Sequence, residues 1–424
     1  MKKNPIGNLN QIPTSARLHE STNMKKFFLG KRTLPVALTL ALCGAVSTST
    51  QAIEFSSGEL SGSFDTTISY GAAWRASDLD EDNIGKAAIN PTTFLLDNAG
   101  QRAAPGRWSV NNDDGNLNYP DGGDLISHTL KLTSELDLRW GNNFGAFTRF
   151  TGFYDIENEG KDFLSDAADE RVGSDIRLLD LYVWGSHEVG ERYLNWRLGR
   201  QVVSWGESTF IQSGINVINS VDVSKLRVAG AELKEAFDGV NMLWATIDLT
   251  PTLSLEALYM FEFRRVIPDP AGAYFATNDL ATPGGSYVML GFGGVPQPVI
   301  NPDLFDTVCL QGNLSASDSP IPPSLVAVGC GAAVPRSDTR FASDSGQFGV
   351  ALRWFVESLN STEFGFFFLN YHSRLPLISG TAITTQAPSS GRYFTEYPED
   401  IQLWGVSFNS NIGTWALSGE VSYC

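Results

Sequence analysis

The densest group of charged and hydrogen-bonding side chains in this sequence falls between residues 197 and 235. Its members are Arg197, Gln201, Trp205, Glu207, Asp222, Lys225, Arg227, Glu232 and Lys234. Rings of charged side chains and loops folded inward set the selectivity of pores, so one interpretation places this group in a lumen that it narrows. In a second interpretation, the opposite charges neutralise one another and hold an inward loop in place. Neither interpretation calls for a bound metal or cofactor.

Two cysteines, Cys309 and Cys330, stand with twenty residues between them. An exported protein folds in an oxidising compartment, where such a pair forms a disulfide that staples the loop. The alternative is two free, buried thiols. A metal site is not expected because no histidine lies near the pair and the chain has only four. The acidic stretches at residues 78–82 and 111–116 do not match a known calcium loop and are expected to be solvated.

The sequence near these cysteines is unusually apolar for a loop. Its apolar residues are Tyr287, Val288, Met289, Leu290, Phe292, Val295, Val299 and Ile300. A functional interpretation is a surface lid or a constriction that captures an apolar solute. The alternative is a long loop that folds back and packs on itself.

No nucleophile accompanied by a base is recognisable in the chain. The G-x-S-x-G and H-E-x-x-H motifs are both absent. His128 and Ser134 share one face of a predicted strand, but six residues of strand separate them by roughly 20 Å. His372 and Ser373 are adjacent and would point to opposite faces. Enzymatic activity is therefore not expected, although an esterase built into a strand wall is kept as an alternative function.

The elements that must position these residues begin with a hairpin at residues 124–156. From Ile126 to Trp140, mostly apolar residues alternate with polar ones, and this period of two predicts a strand with one apolar face. Residues 141–143 tolerate positive φ, and a second alternating arm follows from Phe144. The first arm exceeds the about five or six residues usual in soluble sheets and could cross a bilayer. Trp140 and Phe144 would then lie at an interface.

Further alternating stretches follow the same plan along the chain. They cover residues 60–74, 177–187, 194–203, 240–249, 253–267, 347–356, 364–372, 401–408 and 414–423. Short turns within strand pairs alternate with long connections, a pattern typical of outer-membrane barrels, whose long loops are all external. A closed sheet also satisfies every backbone group in hydrocarbon. The predicted fold is an all-β, antiparallel transmembrane β-barrel with long extracellular loops and one inward-folded loop.

Eleven strands can be counted in this way, whereas bacterial single-chain barrels usually have an even number. Either one strand is missed or the chain is cut short. We expect truncation, with C-terminal strands missing, because the last predicted strand ends at Cys424 rather than at an aromatic residue.

The strand parity also orients part of the charged group. If Leu198 faces lipid, then Arg197 and Gln201 face the lumen. Arg200 falls on the lipid-facing parity unless a bulge near Gly199 redirects it.

The N-terminus reads as an export signal preceded by an extension. Residues 1–23 are polar and unpatterned. Residues 24–52 combine a basic head, an apolar stretch at 34–46 and a small-residue cleavage site at 50–52, so Ile53 is expected to begin the mature protein. Residues 53–424 would form the barrel.

Composition excludes several classes of protein. The formal net charge is −17, which argues against nucleic acid as a partner. After the N-terminus no run of 18 apolar residues occurs, so no transmembrane helix is predicted.

Several motifs carry a resemblance to a known family. They are the stretches Glu59–Ala72, Leu178–Val183, Leu198–Ser208, Val221–Arg227 and Gly230–Ala236. From about residue 53 to the end, the chain resembles the proteobacterial outer-membrane family known as domain of unknown function 1302. The resemblance implies a barrel that moves hydrophobic compounds, with no established reaction, in proteins that continue beyond Cys424.

These observations together lead to one expected function. The chain is expected to be a porin-like channel or transporter, in the outer membrane of a Gram-negative bacterium, for a small solute of hydrophobic character. Its expected partners are outer-membrane lipid, lipopolysaccharide, the solute and a periplasmic helper protein. A surface-displayed, adhesin-like scaffold with a plugged lumen is the main alternative.

Overall fold

A computed structural model describes residues 52–80, 114–208, 214–228, 230–291 and 294–424. All of them belong to one unit, Ala52–Cys424. The expected extension at residues 1–23 lies outside the described residues. So does the expected export signal at 24–52, apart from its last residue.

Strands dominate the described residues. They are β1 (Ile53–Ser57), β2 (Leu60–Trp74), β3 (Leu125–Trp140), β4 (Phe144–Asp155), β5 (Ser174–Val189), β6 (Arg192–Gln201), β7 (Ser220–Val221), β8 (Phe237–Asp238), β9 (Val240–Thr250), β10 (Leu253–Met260), β11 (Tyr287–Met289), β12 (Ala333–Pro335), β13 (Gln347–Val356), β14 (Thr362–Tyr371), β15 (Leu377–Gly380), β16 (Tyr393–Glu396), β17 (Ile401–Ile412) and β18 (Trp415–Tyr423). Twelve of these strands form one sheet in the order β1-β2-β3-β4-β5-β6-β9-β10-β13-β14-β17-β18. The other six form three small two-stranded sheets: β7 with β8, β11 with β12 and β15 with β16.

Every neighbouring pair in the large sheet is antiparallel and follows its partner along the chain. Turns of two to five residues alternate with connections at residues 75–124, 156–173, 202–239, 261–346 and 372–400. Because the strands alternate in direction, all long connections join strand ends on one side of the sheet, called here the long-connection edge. All short turns join strand ends on the opposite side, called here the short-turn edge. The predicted all-β, antiparallel character is confirmed.

The strand count of eleven was wrong. The twelfth strand of the large sheet is β1, which pairs with β2 through a turn at Gly58, where φ is +63°. Strand β1 has only five residues, too few to show an alternating pattern over a useful window. The predicted strand at 253–267 was also too long, since β10 ends at Met260.

The two faces of the large sheet differ sharply in chemistry. One, called here the exposed face, carries solvent-exposed apolar side chains on almost every strand. They include Ile68, Tyr70, Trp74, Leu132, Phe150, Ile176, Leu198, Leu243, Tyr259, Val350, Trp354, Phe366, Trp404, Val406 and Val421. The other, called here the covered face, carries Lys131, Thr133, Glu135, Arg149, Asp180, Arg197, Glu256, Arg353, Ser407 and Glu420. The chain itself covers much of this second face.

Two groups of buried apolar side chains organise the long connections. The first joins Trp205, Ile215 and Ile218 from the connection 202–239 to the covered face of β9, β10, β13, β14 and β17. The second lies within the connection 261–346, around Tyr287 and Phe305. The second group is built from residues of its own connection, and the first fixes the connection 202–239 to the strands, so both connections are folded parts of the protein.

Helices are few and short in the described part of the chain. They are α1 (Asp114–Asn118), α2 (Asp166–Val172), α3 (Leu233–Ala236) and α4 (Pro323–Ala332), all within the long connections. None of the helices described has the length and apolar character needed to span a membrane.

Candidate functional site

The charged group predicted from the sequence lies mostly on residues 202–239, called here the inward segment. Its apolar part inserts into gaps that two glycines leave on the covered face. A Cβ atom at Gly349 would approach the Trp205 ring to 2.8 Å, and one at Gly405 would approach Ile215 to 2.6 Å. Because Trp205 is only 1% exposed and Ile215 is fully buried, the strands are shaped to receive this segment.

Glu256 on β10 fixes the indole of Trp205. One carboxylate oxygen accepts hydrogen bonds from Trp205 Nε1 at 2.8 Å and from Trp244 Nε1 at 3.2 Å. The other oxygen pairs with the guanidinium of Arg353 on β13. A buried carboxylate is stable only when hydrogen-bonded and paired, and Glu256 has both kinds of partner.

Glu420 on β18 holds the start of the inward segment by its backbone. Its carboxylate accepts hydrogen bonds from the backbone N–H groups of Glu207 at 2.7 Å, Ser208 at 3.1 Å and Ile215 at 3.3 Å. The Glu207 side chain points to β17, where it accepts a hydrogen bond from Asn409 at 3.1 Å. A charged acceptor shared by several backbone donors is a strong, directional anchor.

Asp222 and Lys225 form the ionic centre of the segment. Asp222 is fully buried, caps a short 3₁₀ turn through Ser224, and lies 3.3 Å from both Arg171 and Arg177. Lys225 pairs with Asp175 of β5 at 3.1 Å. Burial lowers the pKa of the Lys225 ammonium, and the carboxylates of Asp222 and Asp175 oppose that shift.

The end of the segment docks on β3 through Glu235. This carboxylate pairs with Lys131 and accepts a hydrogen bond from Thr133 at 2.7 Å. Burial favours its neutral form, but the hydrogen bonds from Lys131 and Thr133 prevail and hold the pKa of Glu235 below its usual value. Lys234 is half-exposed and contacts Glu135 at 2.8 Å; that hydrogen bond raises the pKa of Lys234.

The remaining predicted residues, Gln201, Arg227 and Glu232, differ in how far their side chains are buried. Gln201 is fully buried at the end of β6 and donates to the Met242 carbonyl at 3.1 Å. Arg227 has a half-exposed side chain that lies over the Phe275 ring at 4.6 Å. Glu232 has a mostly exposed side chain and contacts Lys234 at 3.1 Å. The many ion pairs favour the interpretation in which opposite charges hold the segment in place.

Arg197 stands apart from this group. It lies on the covered face of β6, with its guanidinium 4.4 Å from the Trp244 ring centre and 5.5 Å from that of Tyr182. Arg200 pairs in register with Leu181 and therefore belongs to the exposed face. The bulge considered near Gly199 is found in β5 instead, where the β4 register shifts between Arg149 and Phe150.

Sequence reasoning missed Arg374, which follows β14. Its guanidinium is buried and donates to the carbonyls of Val217 and Ile218 in the inward segment, each at 3.1 Å. Burial lowers the pKa of Arg374 to about 10. Glu256 and Glu420 were missed as well. A charged residue on the polar parity of a strand was the available signal. The partners were not readable, because Trp205 and Arg353 lie 51 and 97 residues from Glu256 and Glu207 lies 213 residues from Glu420.

The predicted cysteine pair is a disulfide, with the Cα atoms of Cys309 and Cys330 5.2 Å apart. Around it, Tyr287, Met289 and Val299 are buried in the connection's own apolar group. These contacts favour the loop that packs on itself over a free lid. Phe292, which the same prediction included, lies outside the described residues.

Neither His128 nor His372 forms a nucleophile–base pair with the serine considered beside it in the sequence. The Ser373 hydroxyl donates to the Leu375 carbonyl at 2.6 Å. His128 Nε2 contacts Tyr70 at 2.6 Å, while Ser134 contacts Thr66 at 2.9 Å. His372 lies 3.3 Å from Ser343, but its Nδ1 accepts from the Asp400 backbone N–H at 3.1 Å. That contact leaves the ring proton on Nε2, so the ring cannot take a proton from the serine.

No group of three or more metal-ligating side chains is present among the residues that the structure describes. The acidic stretch at 111–116 lies outside them through residue 113, and so do residues 81 and 82. A cleft of about 300 Å³ lies among the long connections, near Arg340, Phe341 and Leu377. It is lined by none of the predicted site residues.

The fold and this site define a class: an all-β protein with one antiparallel sheet whose covered face is occupied by an inward segment. Residues 33–424 match the model of a family described as a protein of unknown function, DUF1302. The chain belongs to this family, which confirms the resemblance carried by its motifs. Comparisons with curated proteins and with solved structures give no match.

Proposed function

We propose that the chain is an outer-membrane β-barrel that gives a small solute a passive route across the membrane. The large sheet closes on itself, the exposed face meets lipid, and the covered face lines a lumen narrowed by the inward segment. The observation that carries this proposal is the contrast between the two faces, because apolar side chains lie on the exposed face and charged ones on the covered face.

A water-soluble protein does not expose apolar side chains over a whole sheet face. Contiguous exposed apolar patches on soluble monomers rarely exceed a few hundred Å². Here side chains as large as Tyr70 and Trp404 are 70% and 59% exposed, and similar residues recur on almost every strand of the sheet. Lipid chains are the solvent in which such a face is stable.

Strand length and aromatic positions agree with a membrane span. Strands β2 and β3 have 15 and 16 residues, more than the roughly nine to eleven that a tilted strand needs to cross the hydrocarbon. Exposed aromatic residues lie near both ends of the strands: Trp140 and Phe144 at the short-turn edge, Trp74 and Tyr154 at the long-connection edge. Aromatic girdles mark the two interfaces of membrane barrels.

A second candidate is a scaffold whose lumen stays closed. The ion pairs that hold the inward segment favour it, and the gap among Lys131, Arg177, Lys225 and Glu235 measures about 10 Å³. That space admits a single water molecule. A solute therefore passes only if the segment moves or if the route runs beside it.

Two measurements test the proposal. A closed barrel retains its shape in detergent, so the unheated protein should migrate faster than the heated protein on a gel. Single-channel recording in planar bilayers should then give discrete conductance steps. Identical mobility before and after heating would contradict the barrel. Folded protein that never conducts would favour the scaffold.

A further inference from the structure

Six cations lie on the covered face of the strands, and five of them have a carboxylate partner. Lys131 pairs with Glu235, Arg139 with Asp137, Arg149 with Glu135 and Asp180, Arg177 with Asp222, and Arg353 with Glu256 and Glu363. The sixth is Arg197. Among the described residues, no carboxylate lies within ion-pair distance of its guanidinium, and no hydrogen bond to it is formed.

Aromatic rings surround the Arg197 guanidinium instead. In the sheet register, Arg197 stands opposite Trp184 on β5 and Trp244 on β9. The guanidinium lies over the Trp244 and Tyr182 rings at 4.4 and 5.5 Å. Trp184 turns away over Gly145, where a Cβ atom would lie 2.4 Å from its ring. A guanidinium stacked on rings keeps its N–H groups free in its own plane.

This arrangement differs from that of a structural arginine. Arg197 is half-buried, and its Nε atom is enclosed without any hydrogen-bond acceptor. Asp180 attracts Arg197 electrostatically without forming an ion pair with it, and its carboxylate is paired with Arg149 at 2.8 Å. A buried donor without an acceptor is costly, and this cost is removed when an acceptor arrives with a ligand.

We propose that Arg197, Tyr182 and Trp244 form a binding site for an organic anion with a carboxylate group and a flat apolar body. The carboxylate binds the fork of guanidinium N–H groups, and the flat body lies against the neighbouring rings. The proposal rests on the barrel proposed above, since the covered face is then a lumen that a solute reaches. It names the chemical class of that solute.

The test compares benzoate with benzamide, its neutral isostere, as probes of the purified full-length chain. Calorimetry and tryptophan fluorescence report binding, and the ring of Trp244 lies beside the expected position of the probe. Benzoate should bind more tightly than benzamide to the wild-type protein. Equal affinities would overturn the proposal without any variant.

Variants locate the site. Arg197→Gln should weaken benzoate binding about tenfold or more, as expected for loss of hydrogen bonds to a charged group, and should leave benzamide binding unchanged. Arg197→Lys keeps the charge but lacks the fork, so it should bind benzoate less tightly than wild type. Arg139→Gln, which removes a paired cation from the same face, is the matched control and should bind benzoate as wild type does. Wild-type affinity in both Arg197 variants would refute the assignment.

Conductance separates this inference from the function on which it rests. If the protein conducts and benzoate neither binds nor blocks the current, the site is wrong and the channel stands. If benzoate binds through Arg197 and no current is ever recorded, the site stands and the channel is wrong.

Discussion

At the scale of single residues, the sequence predicted which side chains lie on the covered face but not which partners they contact. The alternation along β3 predicted that Lys131 would lie on the polar face. Its partner Glu235 is 104 residues away, and no local pattern joins the two. Pairing across such a distance is set by how the inward segment docks, which depends on the glycines, Trp205 and Glu420 together. The sequence therefore predicted the members of the site better than their contacts.

The Lys131–Glu235 pair gives the first prediction. Glu235→Gln keeps the side-chain size and removes the charge that faces a buried ammonium. We expect docking of the inward segment to weaken by roughly 3–5 kcal/mol, because breaking a buried pair leaves an uncompensated charge. Limited proteolysis should show faster cleavage within residues 202–239. Glu232→Gln, in a mostly exposed side chain three residues earlier, is the control, and equal cleavage of the two variants would contradict the prediction.

The second prediction concerns Asp269, in the connection 261–346. Burial raises the pKa of its carboxyl to about 6 from 3.8, although Arg227 opposes the shift. The folded state thus binds the proton more tightly than the unfolded state. The resulting stabilisation is complete below pH 3.8 and is lost as the pH rises through about 6.

Asp269→Asn should remove this pH dependence. The difference in stability between wild type and variant, followed by thermal unfolding, should fall by roughly 2–3 kcal/mol between acid and neutral pH. Asp338→Asn, an exposed carboxylate in the same connection, serves as the control. Parallel pH profiles of wild type and Asp269→Asn would show that Asp269 is not the cause.

At the scale of elements, the alternation of short turns and long connections was the most reliable signal. It predicted the order of eleven strands, because each strand is long enough to show its period of two. It missed β1, whose five residues carry little pattern. It could not show that the connection 202–239 folds back across the sheet, because the glycines that receive Trp205 and Ile215 look like ordinary strand glycines. Tertiary packing sets the path of this connection, and local sequence patterns do not reveal that packing.

The third prediction tests whether the inward segment must move. A Cβ atom at Gly230 would lie 3.2 Å from Cβ of Ser69 on β2, close to the separation of about 3.5–4.5 Å found in disulfides. The double variant Ser69→Cys with Gly230→Cys should therefore form a disulfide that ties the segment to the wall. Gly230 has a φ of +69°, so the cysteine there carries some backbone strain.

If the segment gates the route, the oxidised double variant should lose conductance and regain it on reduction. Each single cysteine variant should conduct equally with and without reductant. Full conductance of the cross-linked protein would mean that the solute passes beside the segment, with the segment at rest.

At the scale of the whole molecule, the apolar side chains of the exposed face allow a test of whether lipid or water surrounds the sheet. Leu243 lies on β9 in this face and is 42% exposed. Leu243→Lys would cost little in a soluble protein. At the middle of a bilayer, a cation on the lipid face of a barrel costs about 2–4 kcal/mol.

The fourth prediction follows from that difference. The yield of folded, heat-modifiable protein in lipid vesicles should fall for Leu243→Lys. It should stay near wild type for Leu359→Lys, which makes the same change in a short turn between β13 and β14, where the side chain is 53% exposed. Equal yields would argue that no hydrocarbon surrounds the sheet.

The anchor at Glu420 also bears on the order of assembly. Its contact with the Glu207 backbone joins positions 213 apart along the chain. Contacts between such remote positions form slowly, because the intervening chain must lose its freedom first. The polypeptide up to β17 already holds the apolar contacts of Trp205 and Ile215, but it lacks the Glu420 carboxylate that accepts from the backbone N–H groups of the segment. We expect the backbone at Glu207 and Ser208 to become fixed only when β18 pairs with β17, late in the biogenesis of this protein.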